Sequence, residues 1–83
     1  MERPGISNVE YARRVGVHHT MASRLRSGQR RPATDIITAT ARAFDLTADE
    51  VSEWLEAIDG GPEMSGAWMR ANVFNIDPDT ISA

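Results

Sequence analysis

Residues 18–31, HHTMASRLRSGQRR, are dense in imidazole, hydroxyl, amide and guanidinium groups. A guanidinium is a planar donor that forms paired hydrogen bonds with phosphate oxygens and with the acceptor edge of guanine. The chemistry that this stretch predicts is noncovalent recognition of an anionic surface. All nine basic residues of the chain are arginine. Genomic base composition is the simpler explanation of that bias, and a preference for paired contacts is the alternative.

Catalytic and metal-binding chemistry have little support in the sequence. Adjacent residues on a helix project about 100° apart, so His18 and His19 do not face one metal ion. The chain has no cysteine, and no acidic residue stands at ligand spacing from the two histidines. There is no glycine-rich phosphate loop and no nucleophile elbow. We therefore predict no enzyme activity, no metal site and no cofactor.

Charge is distributed unevenly along the 83 residues, whose net charge is −3. Residues 1–46 contain eight arginines and four acidic residues, a net charge of +4. Residues 47–83 contain one arginine and eight acidic residues, a net charge of −7. The first part is therefore the candidate anion-binding surface, and the second is expected to face away from a polyanion.

Capping residues, glycines and apolar spacing predict an all-α fold. Ser7 and Glu10 form a capping box that begins the first helix, and Gly16 ends it; Thr47 and Glu50 form a second box. The predicted helices cover residues 8–15, 18 or 19–27, 34–44, 48–58 and, as a short tail helix, 65–72. Residues 73–76 are predicted to be extended.

The spacing of apolar residues predicts which helix faces are buried. The expected inward residues are Val9, Ala12 and Val15 in the first helix, Ile37, Ala41 and Phe44 in the third, and Val51, Trp54, Leu55 and Ile58 in the fourth. Residues 61–83 are unusually apolar for a tail. The tail residues that we expect to complete the core or to form a dimer are Trp68, Met69, Val73, Phe74 and Ile76. Residues 1–60 are the predicted helix-turn-helix domain.

Residues 6–51 resemble the phage Cro and repressor type of helix-turn-helix, the xenobiotic-response-element class. The resemblance rests on Ser7-Asn8, Ala12, Val15-Gly16-Val17, Leu25, Ser27-Gly28, Arg30-Arg31-Pro32, Ile37, Ala41, Phe44 and Thr47 with Glu50. It implies a compact, lambda-repressor-like helical bundle. The helix that normally precedes this pair is expected to be absent, which would expose Tyr11, Ile36 or Phe44 unless the apolar tail covers them.

The resemblance also implies roles for individual residues. Those at positions that read base edges are His19, Thr20, Ser23 and Arg24. Those at positions that contact phosphates are Asn8, His18, Arg26, Gln29, Arg30 and Arg31. Arg26 stands where the family often has an acidic residue, which raises the local positive charge.

The function that the resemblance implies is sequence-specific, Cro-like repression by a homodimer on a pseudo-palindromic double-stranded DNA operator. One alternative is an antitoxin-type autoregulator whose tail binds a toxin. Another is a protein-interaction module that does not bind DNA. No apolar stretch is long enough to span a bilayer, and no signal peptide is evident. We expect a cytoplasmic protein, in a bacterial host cell if phage-encoded, without a small-molecule ligand or membrane partner.

Overall fold

The computed structural model describes residues 5–75 and folds them into five α-helices without a strand among these residues. The helices are α1 Asn8–Val15, α2 His19–Ser27, α3 Thr34–Ala43, α4 Ala48–Asp59 and α5 Pro62–Asn72. α1 packs against α2 and α3, and α5 packs against α2 and α4. The prediction of an all-α bundle built on a helix-turn-helix is confirmed. None of the helices described is long and apolar enough to cross a membrane.

Local capping sets the helix ends as the sequence predicts, except that the capping box of α1 is only half formed. The Glu10 carboxylate pairs with Arg13 and Arg14 and does not return to the Ser7 backbone. The Ser7 hydroxyl accepts a hydrogen bond from the Glu10 backbone N–H at 3.0 Å and begins α1. Gly16 ends α1 with φ +86°, a left-handed conformation that glycine adopts without a steric penalty. Thr47 and Glu50 form the reciprocal capping box at the start of α4. The left-handed Gly16 therefore sets the path of the backbone from α1 towards α2.

The core joins side chains from all five helices and from the segments at either end of the bundle. Its buried apolar residues are Ile6, Tyr11, Ala12, Ala22, Leu25, Ile36, Phe44, Trp54, Met69, Val73 and Phe74. The rings of Tyr11 and Phe44 are stacked with centroids 5.8 Å apart, and those of Tyr11 and Phe74 are 4.9 Å apart. Tyr11 is thus enclosed by aromatic groups from two distant parts of the chain.

Two buried hydrogen bonds cross this core. The hydroxyl oxygens of Tyr11 in α1 and Thr40 in α3 lie 2.6 Å apart. The Trp54 indole N–H in α4 donates to the Ser65 hydroxyl in α5 at 3.1 Å. Burial raises the pKa of Tyr11 to about 12, because the phenolate would lose its hydration, while the Thr40 hydrogen bond acts in the opposite direction.

Some of the predicted core faces are wrong by a rotation about the helix axis. Val9 is 63% exposed, and Tyr11 occupies the interior position of α1 instead. Leu55 is 48% exposed, so Trp54 alone is fully buried in α4. In α3 the polar Thr40 is buried because its hydroxyl pairs with Tyr11, a long-range hydrogen bond that apolar spacing does not reveal.

Helix α5 is longer than predicted and begins at Pro62, whose fixed φ suits the first turn of a helix. Its Gly66 touches the end of α2: a Cβ on Gly66 would lie 2.7 Å from both the Cα and the backbone nitrogen of Gly28. Such a separation leaves no room for a side chain. The two glycines therefore permit direct backbone contact between α2 and α5.

The segment that follows α5 is a turn and does not have the predicted extended conformation. Residues 73–75 form this turn, and Val73 has φ −114° and ψ −56°. The backbone N–H groups of Val73 and Phe74 both donate to the Met69 carbonyl, at 2.8 and 2.9 Å, so the chain curls back at the helix end. The Phe74 carbonyl then accepts from the Ile6 N–H at 3.2 Å.

The curled tail lies in the core of its own chain. Met69, Val73 and Phe74 are buried, and Trp68 is partly buried with its ring stacked on Trp54 at 5.4 Å. Ile76 lies outside the described residues. Tyr11, Ile36 and Phe44 are also buried, so the surface expected to be exposed without a bracing helix is covered.

Candidate nucleic-acid interface

A three-residue turn, Gly16-Val17-His18, connects α1 to α2. The N–H groups of Gly16 and Val17 both donate to the Ala12 carbonyl, at 2.8 and 3.0 Å. Val17 packs against the core cluster, and Ala22 of α2 is fully buried. A small side chain at position 22 lets α2 approach the rest of the core closely. The two helices therefore form a compact pair with one side of α2 held inward.

The opposite side of α2 carries polar side chains. Ala22 and Leu25 are fully buried, while all four predicted base readers are exposed. Those readers are His19, Thr20, Ser23 and Arg24. At 100° per residue they occupy a continuous sector of the helix surface. The structure thus brings together hydroxyl, imidazole and guanidinium groups on one outward face.

His18 holds the N-terminus of α2. Its Nδ1 accepts the backbone N–H of Thr20 at 3.1 Å and lies 3.1 Å from the Thr20 hydroxyl. The proton of a neutral His18 ring is therefore on Nε2, since Nδ1 is an acceptor. The ring also stacks on His19 with a centroid distance of 4.4 Å. Sequence reasoning placed His18 among phosphate contacts and missed its role as a helix cap.

The loop that follows α2 carries the other predicted phosphate contacts. Gly28 ends α2 with φ +83°, and the Gln29 N–H donates to the Arg24 carbonyl at 2.9 Å. The side chains of Gln29, Arg30 and Arg31 are exposed, whereas Pro32 is buried. Two arginines are thus exposed just beyond the outward face of α2.

Asn8 and Arg26, the remaining predicted phosphate contacts, are both partly buried and touch each other. An Arg26 Nη1 donates to the Asn8 Oδ1 at 3.3 Å. The Arg26 Cζ lies 4.9 Å from the centroid of the Phe74 ring, a cation–π arrangement. Arg70 of α5 donates to the Arg26 backbone carbonyl at 2.6 Å.

The contributions of Phe74 and Arg70 were not predicted. Arg70 is the single arginine among residues 47–83, and no other feature of the sequence distinguishes it. Phe74 was assigned to the core or a dimer, and nothing local to it indicates contact with a guanidinium 48 positions earlier.

Outside α2 and the loop after it, the basic residues of α1 are paired and the acidic residues are concentrated in α4. Arg13 and Arg14 of α1 both pair with Glu10, and these two hydrogen bonds hold the pKa of its carboxyl below the usual value. The acidic residues of the second half lie largely on α4, which packs mainly against α5. Among the described residues, no group of three or more His, Cys, Asp or Glu is placed to hold a metal ion.

Comparison with known proteins agrees with this geometry. Residues 1–51 match the family described as helix-turn-helix. The chain belongs to this family. The match covers α1, the turn, α2 and α3, and it supports the resemblance to the xenobiotic-response-element class. No curated protein and no solved structure gives a significant match.

Membership of the helix-turn-helix family assigns DNA binding to the chain, since the family consists of sequence-specific DNA-binding regulators. In this motif the second helix enters the major groove, and here the second helix is α2. The polar residues collected on the outer face of α2 are those that such a helix needs. The individual base and phosphate contacts remain predictions.

Proposed function

We propose that this helix-turn-helix protein is a Cro-like repressor that binds a pseudo-palindromic operator as a homodimer. The observation that carries the proposal is the outward sector of α2. His19, Thr20, Ser23 and Arg24 are exposed together while Ala22 and Leu25 anchor the helix in the core. A rigid helix that presents four hydrogen-bonding side chains is suited to direct readout of base edges.

Each of the four side chains is suited to a particular kind of contact. Arg24 matches the O6 and N7 acceptors of guanine with two parallel donors. Thr20 and Ser23 supply short hydroxyls that donate or accept, and Thr20 adds a methyl group that suits the thymine methyl. His19, at the first turn of α2, reaches the groove from the end of the helix where backbone N–H groups favour negative charge.

Phosphate contacts flank this readout and set its register. Arg30 and Arg31 in the loop after α2 supply charge, and Gln29 supplies an amide. At the other end of α2, the Nε2–H of His18 is free to donate because Nδ1 is used within the helix cap. Charged contacts of this kind release counterions, so binding should weaken steeply as salt rises.

Homodimer formation follows from the small size of the readout. One α2 offers four base-facing side chains, and two copies related by a two-fold axis would read half-sites about 34 Å apart, one turn of DNA. Leu55, an exposed apolar residue on α4, is our candidate for the contact between copies. A bound dimer that overlaps a promoter represses by excluding polymerase.

The antitoxin alternative has less support. It requires the tail to bury apolar residues against a toxin, but Met69, Val73 and Phe74 are buried in their own chain. The alternative of a protein-interaction module without DNA binding is opposed by the family membership.

Selection from a random double-stranded DNA library tests the proposal. The purified chain should enrich a pseudo-palindromic motif whose half-sites are one helical turn apart. Arg24→Ala should lose preference at one base position and about 1–3 kcal/mol of binding free energy. Arg42→Ala removes the same charge from an exposed site on α3 and serves as the matched control. Failure of the wild-type chain to enrich any motif would refute the proposal.

A further inference from the structure

Arg26 lies at the edge of α2 and connects three elements. Its guanidinium donates to the Asn8 side-chain oxygen at the start of α1 and lies over the ring of Phe74, which follows α5. Its backbone carbonyl accepts from Arg70 of α5. Arg26 is partly buried, unlike the exposed Arg24 and Arg30. Its guanidinium is therefore committed to contacts within the protein.

The contact with Arg26 determines which way the Asn8 amide is turned. A guanidinium has donors and no acceptor, so only the amide oxygen of Asn8 can face it. The Nδ2 donors are then left on the other end of the amide. A phosphate oxygen accepts hydrogen bonds and cannot donate, so Nδ2 is the end that a phosphate requires. Arg26 thus selects the amide orientation that is productive for a DNA backbone contact.

Phe74 holds Arg26 in this arrangement. The ring face attracts the guanidinium, and the ring itself is fixed by its contact with Tyr11 and by the hydrogen bond from the Ile6 N–H to the Phe74 carbonyl. Without that support, a long arginine side chain at a helix edge would sample many rotamers, and ordering it would cost conformational entropy.

We propose that Arg26 is a positioning residue for DNA binding: supported by Phe74, it orients Asn8 for a phosphate and does not itself supply a charged phosphate contact. The inference rests on the proposed function, and it revises the role that sequence resemblance implied for Arg26. It also gives the tail an indirect part in DNA recognition, through Arg26 and Asn8, because Phe74 comes from residues beyond the matched family region.

The salt dependence of binding separates positioning from direct contact. A charged side chain that neutralises one phosphate contributes about 0.9 to the slope of log affinity against log salt. Asn8 is neutral, so losing its contact weakens binding without changing that slope. Arg26→Met removes the charge and donors but keeps an unbranched stem to cover Phe74. We expect an affinity loss of about 3- to 10-fold, the range of one hydrogen bond, with the slope unchanged.

Two further variants complete the measurement on the selected operator with the full chain. Arg30→Met is the matched control and should lower the magnitude of the slope by about 0.9, as expected for a direct phosphate contact. Asn8→Ala should lose as much affinity as Arg26→Met. The double variant should lose no more than either single variant, because both remove the same contact.

An NMR measurement without DNA distinguishes loss of the Arg26–Asn8 contact from a general loss of structure in Arg26→Met. The Asn8 side-chain NH₂ signals in a ¹⁵N correlation spectrum should move in this variant, while backbone signals of α3 and α4 stay in place. A lower slope for Arg26→Met, additive losses with Asn8→Ala, or unmoved Asn8 signals would each overturn the positioning role. If the wild-type chain binds no DNA at all, the proposed function fails instead, whatever the Asn8 signals show.

Discussion

Replacing Gly66 by alanine tests the contact that joins α5 to α2. In an ordinary helix this change is stabilising by about 1 kcal/mol, because alanine has the higher helix propensity. Here the added Cβ would lie 2.7 Å from the Cα and N of Gly28 and 3.1 Å from the carbonyl oxygen of Arg26. All three atoms belong to the backbone, so no flexible side chain can move aside. The contact can be relieved only if α5 moves away from α2.

The magnitude follows from these opposing effects. Overpacking of a tight contact costs about 1–3 kcal/mol, and a backbone clash belongs at the upper end of that range. Subtracting the gain in helix propensity leaves a net loss of about 2 kcal/mol in the free energy of unfolding. For a domain of this size, 1 kcal/mol corresponds to about 4–8 °C in Tm, so Tm should fall by about 8–16 °C.

Circular dichroism at 222 nm, recorded against temperature and against urea, measures this change. Ala67→Gly provides the control, since residue 67 is the exposed neighbour in the same helix and should lose only about 1 kcal/mol through helix propensity. The sign of the Gly66→Ala effect decides the question. A rise in Tm would mean that the Gly28–Gly66 contact does not exist in solution, and the packing of α5 against α2 would have to be revised.

Three other predictions concern pH, DNA affinity and association. Because the pKa of Tyr11 is raised to about 12, the native state retains a proton that the unfolded chain releases near pH 10. This contribution to the free energy of unfolding is fully present below pH 10, and about 3 kcal/mol is lost as pH rises towards 12. Urea unfolding against pH measures the loss, and Tyr11→Phe should lack it. Arg30→Ala should weaken binding to all DNA sequences about equally, and a loss confined to some sequences in a competition assay would make Arg30 a base reader. Leu55→Lys should shift sedimentation from dimer towards monomer while leaving the free energy of unfolding within about 0.5 kcal/mol of wild type, since residue 55 is 48% exposed. An unchanged dimer would exclude this face as the interface.

The sequence identified the helix-turn-helix because its signals are local. Ser7 with Glu10, Gly16 and Thr47 with Glu50 act through hydrogen bonds or backbone conformations within about four residues, so their effects can be read from spacing alone. The four residues that the resemblance placed at base-reading positions are also exposed on α2, although nothing in the local spacing shows what they contact.

What only tertiary structure decided involves partners far apart in the chain. Thr40 is buried because Tyr11, 29 residues away, meets its hydroxyl, and Arg70 reaches the carbonyl of Arg26 across 44 residues. Val9 and Leu55 have the spacing of core residues, but an amphipathic stripe does not specify which of its edges packs against another helix. Packing alone decides that, because burial depends on the positions of the other helices.

The tail is the clearest case of this division. Its apolar composition predicted burial somewhere, either within the chain or against a partner. The structure places Phe74 against Tyr11 and Arg26 of the same chain. Gly66 is a poor helix residue by propensity, and its place in α5 makes sense only where two backbones meet. Local sequence therefore determined the elements of this protein, and the close contacts between them determined how its candidate DNA-binding face is held.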